Sequence, residues 1–117
     1  MSGKKDWLFR VQDMIDSIEG LSSHLANISE SAFFADDFIQ KATERYFEII
    51  GEAARFIPKE IQEQYIKIPW GDIIGMRHKI SHDYLEIDAG ILWSSYKNDF
   101  PALKSHLEDL LEKEDKP

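Results

Sequence analysis

From Leu8 onward the apolar residues fall at Leu8, Val11, Ile15, Ile18, Leu21, Leu25 and Ile28. Steps of three and four, sustained that far, line one face of an α-helix. A strand would alternate every second residue. A helix with a single apolar side must bury it against other elements, so this stripe predicts an all-α packing. Asp6, just upstream, is the expected N-cap.

The rest of the chain repeats the pattern. After a polar link, SESAFFADD, a second stripe runs through Phe38, Ala42, Ile49, Ala53 and Phe56. Ile39, Tyr46, Ile50 and Ile57 widen it, and Pro58 stops it. PKEIQEQY predicts a short helix at most. Pro69 opens a further helix through Trp70, Ile73, Ile74, Met76 and Ile80. Asp88 is the expected N-cap of a last helical region carrying Leu92, Tyr96, Phe100, Leu103, Leu107 and Leu110. Pro101 lies inside that region and predicts a kink or break. No stretch shows period-two alternation. The expected architecture is an antiparallel helical bundle of four main helices plus a short one. It forms one domain over residues 1–117, with 112–117 a frayed tail.

With 117 residues the chain suits a single domain and a single core. It has no cysteine, which removes disulfides and thiolate metal sites and predicts a reducing compartment. MSGKKDWLF has no apolar segment of the signal-peptide kind, and no apolar run reaches the ~20 residues that span a bilayer. A cytoplasmic location is expected. The net charge of −8 opposes broad, sequence-blind nucleic-acid binding but leaves room for a local basic pocket.

One segment breaks the acidic trend. MRHKISHDY, from Met76 to Tyr84, holds Arg77, His78, Lys79 and His82, with no acid between Arg77 and His82. On a helical wheel Met76, Ile80, Ile73, Tyr84, Trp70 and Ile74 share an apolar arc, and Arg77 falls near its middle. A buried charge without a partner costs several kcal/mol or more. Three chemistries fit. Arg77 can form a structural ion pair with Glu52, just off the second stripe. His78 and His82, four apart, can chelate a metal, although zinc would want a third ligand. Alternatively the cluster handles phosphate, for which arginine offers a fixed fork of donors and histidine a proton near neutral pH.

These residues resemble a known family. Arg77 to Tyr84 fits R-x4-H-x-Y, the pattern of HepT-type toxins of the HEPN superfamily. EIIGEAARFIP (48–58), IPWGDIIGMR (68–77) and YLEIDAGILW (84–93) extend the likeness over most of the chain in the same order. His78 supplies the polar residue usual after the arginine.

The resemblance implies a metal-independent endoribonuclease without cofactor, acting as the toxin of a toxin–antitoxin system. Arg77 and His82 would be catalytic, in a composite site at a homodimer interface. His78, Lys79 and Glu52 would bind substrate or support the site. The partner would be a minimal nucleotidyltransferase antitoxin that modifies Tyr84 with AMP, and the substrate RNA. A non-catalytic binding partner that presents Tyr84 or a nucleotide to a nucleotidyltransferase is the alternative. Arg77 and His82 stand ~140° apart on a straight helix, so either the helix loosens near Ser81 or a second subunit closes the gap. Trp70 and Trp93 are read as core or interface aromatics, and His24 and His106 as surface residues.

Overall fold

The computed structural model describes residues 5–82 and 87–116. It is all-α: α1 (Leu8–Leu25), α2 (Glu30–Ala35), α3 (Asp37–Ala54), α4 (Lys59–Gln64), α5 (Trp70–His82), α6 (Ala89–Ser94) and α7 (Phe100–Glu114), with a π-helical turn at Ser95–Asp99 joining the last two. The four main helices of the bundle are α1, α3, α5 and the α6–α7 unit.

The first stripe holds as far as Leu25, where α1 ends; Ile28, expected on the same helix, lies beyond it and donates its N–H to the Leu25 carbonyl (3.0 Å). Val11, Met14, Ile15, Ile18, Leu21 and Leu25 are buried and face Phe100, Leu103, Leu107 and Leu110 from α7 within one core. Asp6, however, does not cap α1. The Leu8 N–H donates to the Lys5 carbonyl (3.0 Å), so a turn already winds upstream, and Trp7 holds the cap position in helical conformation.

The link SESAFFADD is not wholly irregular. Ser29 accepts the Ala32 N–H (3.1 Å), and Asp36 accepts the Ile39 N–H (3.1 Å). Between these two caps α2 buries Phe33 completely, 5.1 Å from the Trp93 ring. Six residues do not hold a helix in water. Here the buried ring and the caps supply what propensity lacks.

The second stripe is rotated from its expected centre. Thr43, Phe47, Ile50, Gly51, Ala53 and Ala54 are buried, whereas Phe38 is 82% exposed and Phe56 48%. The reason is that α3 is clasped on two sides, by α1 and by α5. Small and polar residues therefore take interior places that a hydrophobic count overlooks. Thr43 is satisfied there by donating to the Ile39 carbonyl (2.8 Å).

Asp88 caps α6 as expected, accepting the Gly90 N–H at 2.6 Å. The disturbance expected at Pro101 takes the form of the π-helical turn. Proline lacks an N–H and crowds the carbonyl four residues back, and a widened turn relieves both while Pro101 enters the first turn of α7. The acidic end expected to fray stays helical to Glu114. There the Tyr65 hydroxyl donates to Glu114 Oε2 (2.7 Å), and burial together with that bond pushes the phenol's pKa up to about 12. No helix of the described residues is long and apolar enough to cross a membrane.

Candidate active site

Helix α5 packs almost wholly on α3. The crossing is close because Gly51 of α3 has no side chain. A Cβ there would collide with the Cβ of Arg77 and lie 2.9 Å from the Ile73 carbonyl. The glycine thus seats Arg77 against the flank of α3, its side chain 25% exposed. Of the residues of α5, Trp70 alone is buried, and Ile73, Ile74, Met76 and Ile80 are half-buried. The face away from α3 is open. Ile73 and Met76 line a groove of about 380 Å³ between α5, the π-helical turn and α7.

Two of the expected residues meet. Arg77 Nη2 lies 3.0 Å from Glu52 Oε1, the ion pair anticipated from the two stripes. The same carboxylate holds Arg55, whose Nη1 is 3.2 Å away. One turn back along α3, Glu48 accepts the Ser81 hydroxyl (2.9 Å) and pairs with Arg45 (3.8 Å). Arg77, Ser81, Glu48 and Glu52 line a cavity of about 230 Å³, to which Arg10 and Asp13 of α1 also contribute.

The remaining candidates stand apart from it. His78, Lys79 and His82 are exposed, and the two imidazoles are tilted 45° to one another, their centroids 4.6 Å apart. Helix α5 continues as regular α-helix through His82, so it does not loosen at Ser81. Within one chain, therefore, Arg77 turns to α3 while His82 faces outward. Among the described residues no three His, Cys, Asp or Glu side chains cluster to hold a metal, and the His78–His82 pair has no third donor. Tyr84 lies outside the described residues. Trp70 and Trp93 are core residues, and Trp70 donates its indole N–H to the Tyr65 carbonyl (3.1 Å). His24 is exposed beside Tyr46, and His106 is half-buried on the groove wall.

The reading of the stripes missed Arg10, Asp13, Arg45, Glu48 and Ser81. A signal existed for part of this. Arg45, Glu48, Glu52 and Arg55 follow one another at steps of three, four and three, a ladder of alternating charge blocks along one side of α3. Arg10 gives no local signal, since only the packing of α1 on α3 brings it there.

An arginine held by a carboxylate at the rim of a cavity, with exposed imidazoles on the same helix, can bind a phosphodiester and move protons around it. Comparison with known proteins agrees. A protein of Caldanaerobacter subterraneus subsp. tengcongensis, provisionally named an RNase, is 34% identical over 104 residues, 89% of this chain and 93% of the relative. A protein of Thermococcus cleftensis named "Probable ribonuclease HepT" is 36% identical over 106 residues, 91% and 94% respectively. No solved structure matches the chain significantly. Residues 14–110 match the family described as "Ribonuclease HepT-like", and with that span and those relatives the chain belongs to the HepT-like ribonuclease family of the HEPN superfamily.

Proposed function

We propose that the protein is a metal-independent endoribonuclease, the toxin of a toxin–antitoxin pair, whose site joins Arg77 of one subunit to His82 of a second. The carrying observation is the division of labour on α5. Arg77 is anchored by Gly51 and Glu52 at a cavity rim, whereas His82 is exposed and faces elsewhere on an unbroken helix. A second copy supplies the missing histidine.

The chemistry needs no external nucleophile. The ribose 2′-hydroxyl attacks the adjacent phosphorus, forming the 2′-O–P bond and breaking the P–O5′ bond. One imidazole takes the 2′ proton and another protonates the leaving 5′ oxygen, a role typically worth ~10²–10⁴-fold. Arg77 stabilises charge on the non-bridging oxygens. His78 and Lys79, both exposed on the same helix, would hold flanking phosphates. His82→Ala and Arg77→Ala should each abolish RNA cleavage and growth inhibition with helicity retained. Near wild-type cleavage by both variants without added metal refutes the assignment, and loss of cleavage on adding a chelator alone returns the His78–His82 pair to a metal role.

Neutralisation falls to a minimal nucleotidyltransferase that adds AMP to Tyr84. The added phosphodiester would compete for the arginine's phosphate site. Intact-mass measurement after co-expression tests this, and an unmodified Tyr84 in a silenced complex would mean occlusion instead. The Arg77–Glu52 pair favours one second reading, in which Arg77 is structural and the protein is a non-catalytic partner of a nucleotidyltransferase. Absence of RNA cleavage by the wild-type chain, with a lower melting temperature for Arg77→Ala, would support it.

A further inference from the structure

All four arginines of the chain stand on one side of the molecule, although α1, α3 with its C-cap, and α5 each contribute. Arg10, Arg45 and Arg77 line the same cavity. Arg55 joins them through Glu52, the carboxylate it shares with Arg77. The acids facing this group are Asp13, Glu48 and Glu52. Four guanidiniums thus meet three carboxylates in a protein whose net charge is −8. Glu48 and Glu52 orient three of the guanidiniums, those of Arg45, Arg55 and Arg77, and oriented forks suit phosphate.

Two aromatic rings extend the group. Phe9 and Phe56 are 55% and 48% exposed, a large apolar area left in water. They flank a cation instead of entering the core. The Arg10 guanidinium lies 4.8 Å from the Phe9 centroid and 4.1 Å from the Phe56 centroid, and that of Arg55 lies 5.4 Å from Phe56. Rings interleaved with arginines are what unpaired nucleotides recognise, bases stacking on the rings and guanidinium planes while phosphates take the charge.

We propose that this face is the track for single-stranded RNA. Unpaired bases stack on Phe9 and Phe56, Arg10, Arg45 and Arg55 hold the backbone, and the strand is led to Arg77. The proposal rests on the ribonuclease reading and adds the substrate class to it. Duplex RNA is disfavoured because its bases are already stacked on one another and offer no free face to the rings. An acidic molecule repels RNA elsewhere, which confines binding to this face.

The test uses the full-length His82→Ala protein and fluorescence anisotropy with a labelled single-stranded RNA of about twelve nucleotides, a length that such sites accommodate. The same RNA annealed to its complement serves as duplex. Adding Phe9→Ala and Phe56→Ala together should weaken single-strand binding ~10–100-fold. Because both rings are half in water, helicity should be unchanged. Arg10→Gln and Arg45→Gln, a second route free of ring packing, should each lower the salt dependence by ~0.7 in the log–log slope. Lys113→Gln, on α7, should bind like the parent.

The proposal is overturned if the ring and arginine variants all bind like the parent, if duplex binds as well as single strand, or if the parent binds neither. It is also overturned if the ring variant keeps its RNA affinity but loses self-association in light scattering, which would make the face a protein interface. Cleavage of the same RNA by the wild-type chain is scored separately. Binding without cleavage sinks the nuclease reading alone, and cleavage with indifferent variants sinks the track alone.

Discussion

Glu52 sits between two guanidiniums, 3.0 Å from Arg77 and 3.2 Å from Arg55. All three side chains are partly solvated, so each pair stabilises the fold by at most about 1 kcal/mol. The value of the carboxylate lies in direction: it holds the fork of Arg77 at the cavity rim. Glu52→Gln should leave the melting temperature nearly unchanged yet slow RNA cleavage by about tenfold, the scale of a misoriented charged donor. Glu52→Asp should recover part of the rate. Steady-state cleavage beside thermal melts measures both, and an unchanged rate for Glu52→Gln would show that Arg77 is oriented without it. The ion pair was legible in the sequence, since a charge centred on one apolar arc needs a partner and Glu52 flanked the facing stripe. The pairing of Glu52 with Arg55, three residues on, is likewise written in local spacing; that one carboxylate serves both arginines depends on how α5 crosses α3.

At the scale of elements the decisive contact is the crossing of α3 and α5 at Gly51. Gly51→Ala places a methyl against the Cβ of Arg77 and the Ile73 carbonyl. Neither is the free end of a flexible side chain, so α5 must shift as a body. Overpacking of this kind costs about 1–3 kcal/mol. The expected result is a lower melting temperature together with loss of cleavage, since Arg77 moves with the helix. Full activity in Gly51→Ala would show that the site tolerates displacement of α5. Composition explains why α2 and the rotation of α3 escaped the pattern. Phe33 lies in a run of polar and small residues, and Thr43 and Gly51 score as non-core, yet packing on two sides makes each of them interior.

The molecule is elongated, 50 × 30 × 22 Å with a radius of gyration of 14.7 Å. A compact chain of this length would have about 13.4 Å. The excess fits a bundle in which α5 is covered on one side only. Ile73 and Met76 remain on an open groove wall, which the proposed second subunit would cover. Light scattering at micromolar concentration should give twice the 13.6 kDa of one chain. A stronger test mixes two inactive proteins. If Arg77 and His82 act across the interface, Arg77→Ala and His82→Ala subunits exchanged together should regain cleavage. A monomer that cleaves RNA, or a mixture that stays inactive despite exchange, removes the composite site.

Periodicity by itself determined the class of fold: the steps of three and four from Leu8 to Ile28 and from Leu92 to Leu110 admit only helices that bury one face. The motif from Arg77 to Tyr84 likewise marked the family, because local spacing is written directly in the chain. The parting of Arg77 and His82 already follows from five residues on a straight helix, whereas which way α3 turns and which arginines gather at Arg77 were decided by tertiary structure. Those outcomes depend on interhelical distance and on the exact rotation of each helix about its axis. A single small residue, Gly51, sets both where α5 crosses α3, and the pattern of any one helix carries no record of that crossing.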